Sequence, residues 1–88
     1  MGKSFLYILY SPSINQYYLG ISHDPEKRLI YHNSARKGWT QRGRPWQLLF
    51  KKEWESRSDA IKWERKLKSL KRRDIIEIIV QNKFEWKD

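Results

Sequence analysis

The sequence contains no cysteine, which removes disulfides, thiolate zinc sites and thiol nucleophiles and agrees with a reducing, cytoplasmic setting. Histidine is almost as scarce. His23 and His32 are the only two, so a histidine-rich metal site is excluded. No apolar run approaches the roughly 18 residues that a membrane span needs. The one that opens the chain, Phe5 to Tyr10, is closed by Pro12, too early for a signal peptide. Acidic residues are few: ten Asp and Glu against nineteen Lys and Arg leave a net charge of +9. That imbalance selects a polyanionic partner, nucleic acid well before an acidic membrane face.

Aromatic residues, by contrast, are abundant. Five Trp, five Tyr and three Phe in 88 residues are far too many for a disordered basic tail. The chain therefore reads as a single folded domain over residues 1–88 with a cationic surface. A domain of this size buries about 60–70% of the surface its unfolded chain exposes, enough for one small core.

Residues 5–10 are continuously apolar, the pattern of a strand buried on both faces. The polar stretch 11–16 carries Pro12 and Asn15 and reads as a turn, and residues 17–21 as a second strand, giving an antiparallel hairpin. Alternation puts Phe5, Tyr7 and Leu9 on one face, and Tyr18 with Gly20 on one face of the second strand. A glycine inside a strand marks a close approach by another group. Asp24-Pro25-Glu26 supplies an N-cap, a first-turn proline and a first-turn acid for a helix running to about Asn33. A basic loop follows over residues 34–45, then a third strand over 46–50. Ser56 and Asp59 resemble a capping box at the head of a helix over 56–70. The last helix, 72–81, gathers Ile75, Ile76, Ile79 and Val80 on one stripe. The order β-β-α-β-α-α predicts an α+β fold, a three-stranded antiparallel sheet flanked by helices.

Some residues sit oddly for folding alone. With Ala60 as origin, Leu67 falls at roughly 340° and Trp63 at about 300° around the long helix, while Glu64 falls at about 40°, inside the apolar arc. A carboxylate there needs a metal, a proton or a partner; the plain alternative is an acid at the edge of the face, paired with a basic neighbour. Arg28 and His32 are four residues apart and share one side of the first helix, where they can grip a phosphate. Equally, Arg28 can pair with Asp24 while His32 stays half-exposed. Tyr7 and Tyr18, on adjacent strands, can point to one face or merely pack.

The charge is concentrated too. Seven of the twelve residues from Lys62 to Arg73 are basic: Lys62, Arg65, Lys66, Lys68, Lys71, Arg72 and Arg73. A second cluster, Arg36, Lys37, Arg42 and Arg44, shares the loop with Trp39. Basic side chains interleaved with an aromatic ring suit phosphate contacts plus base stacking.

In order, these residues resemble the signature of the GIY-YIG nuclease superfamily, and most closely its small stand-alone UvrC/YhbQ-like branch, related to the nuclease modules of excision repair and of homing endonucleases. Leu6-Tyr7 and Tyr18-Leu19-Gly20 are similar to the two eponymous motifs, with Phe5 where the first motif has its glycine. Asp24-Pro25-Glu26-Lys27-Arg28 resembles the helix bearing the family's essential arginine. His32 falls in a slot the family fills with His or Tyr, Glu64 matches its acidic metal ligand, and Asn82 is the candidate for its late asparagine.

The resemblance implies an endonuclease that hydrolyses phosphodiester bonds of DNA with low sequence specificity, in DNA repair or processing. One Mg²⁺ or Mn²⁺ ion would sit on Glu64. Arg28 would stabilise phosphorane-like charge, Tyr7 would be the general base, Tyr18 would position water or phosphate, and His32 would hydrogen-bond to Tyr7 or the phosphate. Lys27, Arg36, Lys37, Trp39, Arg42, Arg44, Arg65, Lys68, Arg72 and Arg73 would hold the nucleic acid. A non-catalytic nucleic-acid-binding domain that kept the fold, and a basic accessory protein of the ribosome, are the rival readings.

Overall fold

The computed structural model describes residues 3–34 and 38–87. Its first strand, β1 (Ser4–Ser11), turns through a polar corner into β2 (Gln16–Ser22), and the two pair antiparallel with Tyr7 opposite Gly20 and Leu9 opposite Tyr18. Asn15 closes the corner with a left-handed backbone (φ 54°), a conformation asparagine tolerates better than most side chains. The third strand, β3 (Gln47–Trp54), joins the other side of β1, so the sheet order is β2-β1-β3. The central position of β1 explains its unbroken apolar run. Leu6 and Ile8 are buried with Leu19, Trp63, Leu67 and Ile79 on one face, and Tyr7 and Leu9 with Trp46 on the other.

The third strand runs four residues past the expected 46–50, because Lys51, Lys52 and Glu53 continue the pairing despite their charge. Their charges are accommodated at the surface: Lys51 meets Glu26 at 2.6 Å, Lys3 meets Glu53 at 2.7 Å, and the Lys52 amine sits 4.7 Å from the Trp54 ring centre. A register shift opposite Ile8 and Leu9 leaves Leu49 as the extra residue. Such a bulge turns the strand, so that Leu48 packs beside Tyr7 and Leu9, and Phe50 packs with Leu6 and Ile8.

Helix α1 (Pro25–Ser34) starts where Asp24 Oδ1 accepts the Lys27 amide at 3.1 Å. Helix α2 (Arg57–Leu70) starts where Ser56 Oγ accepts the Asp59 amide at 3.2 Å. Both are the side-chain caps that the sequence predicts. α2 ends at Lys71, left-handed at φ 52°, and α3 (Arg73–Val80) follows at once. Residues 81–87 form no helix or strand, yet Phe84 and Trp86 pack onto the core around Trp63. Among the described residues no helix is long and apolar enough to cross a membrane.

Candidate active site

Alternation along β1 sends Tyr7 to the face that α1 covers, where it is 1% exposed. The residue opposite is Gly20, and a Cβ there would lie 2.6 Å from the Tyr7 oxygen. That is the close approach the strand glycine predicts: its missing side chain makes room for the phenol.

From α1, one helical turn apart, come Arg28 and His32. His32 is buried, with Nε2 3.3 Å from the Tyr7 hydroxyl and its ring 4.6 Å from that of Tyr18. The Tyr18 ring lies 6.3 Å from Tyr7. Asp24 is occupied in capping α1, and Arg28 turns instead toward the tyrosines, its guanidinium carbon 4.7 Å from the Tyr31 ring centre. It lies against the Tyr7 hydroxyl, and that contact raises the arginine above its ordinary value.

The electrostatics follow from burial. Desolvation pushes the Tyr7 phenol above its usual range; Arg28 opposes the shift, and the charges of Tyr18 and Glu64 add to it. Desolvation, with the adjacent Arg28 charge, pushes His32 down. At neutral pH both groups are therefore uncharged. The His32 Nδ1 atom is buried and has no hydrogen-bond partner among the described residues.

Glu64 sits on α2 between the buried Trp63 and Leu67, with its side chain 22% exposed. It pairs with Lys68, one turn on, at 3.0 Å, as the plain alternative for an acid at the edge of an apolar face requires. Its charge nonetheless reaches Tyr7. Among the described residues no three His, Cys, Asp or Glu side chains converge as a metal cage. A single half-open carboxylate fits a hard cation such as Mg²⁺ or Mn²⁺, which takes few protein oxygens and keeps most of its water. Lys68 holds that carboxylate in the meantime.

Asn82 stands apart from this group. It ends α3 with a left-handed backbone (φ 64°) and gives its amide to Ile79 O at 2.8 Å, and Ile79 is buried on the opposite face, with Leu6 and Ile8. Of the basic candidates, Lys27, Arg42, Arg44 and Arg65 are exposed; Arg44 also reaches the carbonyls of Gln41 and Asn33. Lys68, Arg72 and Arg73 are paired with Glu64, Asp74 and Glu77. Arg36, Lys37 and the Trp39 side chain lie outside the described residues.

Two residues bear on the site without a clear signal in the sequence. Tyr31 braces Arg28, and only its spacing of three from that arginine hints at the contact. Asn33 accepts the Trp46 amide at 2.5 Å and donates to its carbonyl at 3.1 Å, fixing the end of α1 to the start of β3. No local pattern announces a bond between residues so far apart in the chain.

Residues 3–77 match the GIY-YIG catalytic domain family, and the chain belongs to that family, with its nuclease-type fold. Its curated relatives carry the UPF0213 label. One from Staphylococcus saprophyticus is 31% identical over 80 residues, spanning 90% of this chain and 96% of the relative. Another, from Syntrophus aciditrophicus, is 34% identical over 84 residues, spanning 93% and 95%. The solution NMR structure of a UPF0213 protein from Bacillus halodurans is similar in fold, with a TM-score of 0.55 at 28% identity over 88% of this chain and 82% of that one.

Proposed function

We propose that this protein is a divalent-metal-dependent endonuclease that hydrolyses phosphodiester bonds of DNA with low sequence specificity. The observation that carries the reading is the meeting of Tyr7, Tyr18, Arg28 and His32 within one aromatic cluster that also feels the charge of Glu64. A domain that only binds nucleic acid would gain nothing from the charge of Glu64 near this cluster.

Arg28 presents a fork of donors beside Tyr7 and stabilises charge that develops on the non-bridging phosphate oxygens. A buried phenol with a raised pKa is not ionised at rest. It can still act as a base if it hands its own proton onward, and neutral His32 Nε2 lies 3.3 Å away to receive it. Tyr7 then takes a proton from the attacking water, the water oxygen bonds to phosphorus, and the bond to the leaving oxygen breaks. Tyr18 orients the water or the phosphate. Glu64 would hold the divalent ion, which when bound polarises the phosphate and neutralises the leaving oxygen. Contacts mainly to phosphates leave little sequence preference.

Plasmid nicking with Mg²⁺ and then with EDTA tests this reading, on wild type and on Glu64→Gln, Arg28→Ala and Tyr7→Phe. Wild type nicks only with the metal, and each variant loses about 100-fold or more in rate while keeping its fold. Nicking that persists in EDTA, or wild-type rates from Glu64→Gln, overturns the metal assignment. DNA binding with no nicking under any condition reduces the protein to a binding domain.

A further inference from the structure

On the face of the sheet away from Tyr7 the fold makes a second concavity. Residues 16–19 of β2 and the corner between α2 and α3 enclose a groove of about 430 Å³. Its floor, Ile8, Leu19 and Leu67, belongs to the core opposite the Tyr7 cluster, so the groove is separate from the candidate active site. Its mouth is cationic, with Lys68, Lys71, Arg72 and Arg73 around it. Three of those four already face a carboxylate, whereas Lys71 makes no ion pair with any described residue.

The two edges of the sheet are unlike. β3 carries Lys51, Lys52 and Glu53 and is bent by the bulge at Leu49, the devices by which an outer strand discourages pairing with another chain. β2, the other outer strand, runs seven residues in unbroken register with β1 and contains no charged residue and no proline. A strand of that kind offers a row of main-chain donors and acceptors to a further strand. The groove lies along it, and its wall is held in place. Arg73 donates to the carbonyl and side-chain oxygens of Asn15 at 2.8 and 2.6 Å, which ties the hairpin corner to the start of α3.

A strand laid against β2 turns every second side chain to the face that carries Tyr17 and Leu19. One apolar side chain there reaches the floor, and carboxylates two residues to either side come to the mouth. Lys71 is free to meet one of them. The exposed pairs of Lys68 and Arg72 hold weakly enough that a carboxylate from outside can replace the resident one. Nucleic acid fits this edge less well, because phosphate oxygens only accept hydrogen bonds and leave the outward carbonyls of β2 unmet. A second copy of the chain fits less well too, since it brings its own net charge of +9.

We propose that the edge of β2 and this groove form a docking site for an extended acidic segment of a partner protein. The segment adds a fourth strand to the sheet and seats an apolar side chain on Leu19 and Leu67. The site is independent of whether the protein cleaves DNA.

The probe is an end-capped peptide of seven residues, with leucine at its centre, glutamate two residues to either side and threonine elsewhere. Titrated into ¹⁵N-labelled full-length protein, it should move the amides of residues 16–19 and 67–76. No shift at millimolar peptide, or shifts confined to α1 and residues 41–44, overturn the proposal. Two further peptides carry N-methyl groups on alternate main-chain amides, one on the odd and one on the even positions. Only one parity faces β2, so one peptide should lose about tenfold in affinity while the other stays within about threefold. Equal losses mean that no strand is added, and overturn the proposal. Lys71→Glu, shown to be folded by thermal melts, should weaken the glutamate peptide about fivefold and strengthen one with lysine in place of glutamate. Unchanged binding of both overturns the acidic partner. An oligothymidylate that moves the same amides while the peptide does not assigns the groove to nucleic acid. Shifts in residues 16–19 that follow protein concentration alone assign the edge to a second copy, and either result overturns the proposal.

Discussion

The Tyr7 hydroxyl and His32 Nε2 lie 3.3 Å apart on the buried side of the sheet, and burial drives both toward their neutral forms. Burial leaves the phenol un-ionised and the imidazole unprotonated at neutral pH, so the ring nitrogen can take a proton, although burial also makes the resulting imidazolium costly. Arg28 opposes the shift of the phenol, because its charge favours the phenolate, and adds to that of the imidazole, because it disfavours a protonated ring.

One consequence is a pH-dependent stability. The folded His32 holds its proton less readily than the unfolded chain, whose histidine titrates near about pH 6.5. The unfolded state thus binds the extra proton first as pH falls. Stability is fully present above that value, declines as pH drops through it, and levels off once the folded His32 is itself protonated. Urea midpoints measured between about pH 7.5 and 5 should show the decline in wild type and a flatter profile in His32→Gln. Identical profiles would remove His32 from the account.

Gly20 is the second consequence. A Cβ at this position would lie 2.6 Å from the Tyr7 oxygen and 2.7 Å from Cζ, and Tyr7 is itself buried against Leu9 and Trp46. Gly20→Ala should cost about 1–3 kcal/mol by urea unfolding, as overpacking of a tight core does. Because the clash is with one ring, Gly20→Ala should be far less costly when combined with Tyr7→Leu. Additive losses in that double-mutant cycle would mean that the glycine serves the strand and not the phenol.

Sequence and structure agree where the cause is local. Asp24 and Ser56 cap their helices because a short side-chain oxygen followed by free amides admits few other outcomes. The β1 run is legible because a central strand must be apolar on both sides. The end of β3 is not, since Lys51, Lys52 and Glu53 look like a loop until Glu26, Lys3 and Trp54 are in place around them. The bulge at Leu49 leaves no trace either, because an extra apolar residue in a short apolar run reads as more of the same. At the site, the spacing of Arg28 and His32 fixes their common side of α1, yet the partner of Arg28 depends on which residue engages Asp24. The basic run from Lys62 to Arg73 looks like an unbroken anion-binding stretch. Its partners Glu64, Asp74 and Glu77 stand two to four residues away and take up Lys68, Arg72 and Arg73, which shifts weight to Lys71.

The tail beyond α3 supplies a test of what keeps Glu64 in position. Trp86 lies outside the matched family region, residues 3–77. Its ring is nonetheless 5.2 Å from Trp63, 5.7 Å from Trp54, 6.1 Å from Phe50 and 4.8 Å from Phe84. Trp63 is the neighbour of Glu64 on α2, so the tail braces the helix that carries the acid. Trp86→Ala removes a half-buried indole from this cluster and should cost about 2–4 kcal/mol in urea unfolding, toward the lower end for a large aromatic. Below its lowered melting temperature the variant should retain DNA binding, because no basic candidate touches that ring. Unchanged stability would show that residues 81–87 merely lie on the core, and α2 would then have to be held by Ala60, Trp63 and Leu67 alone.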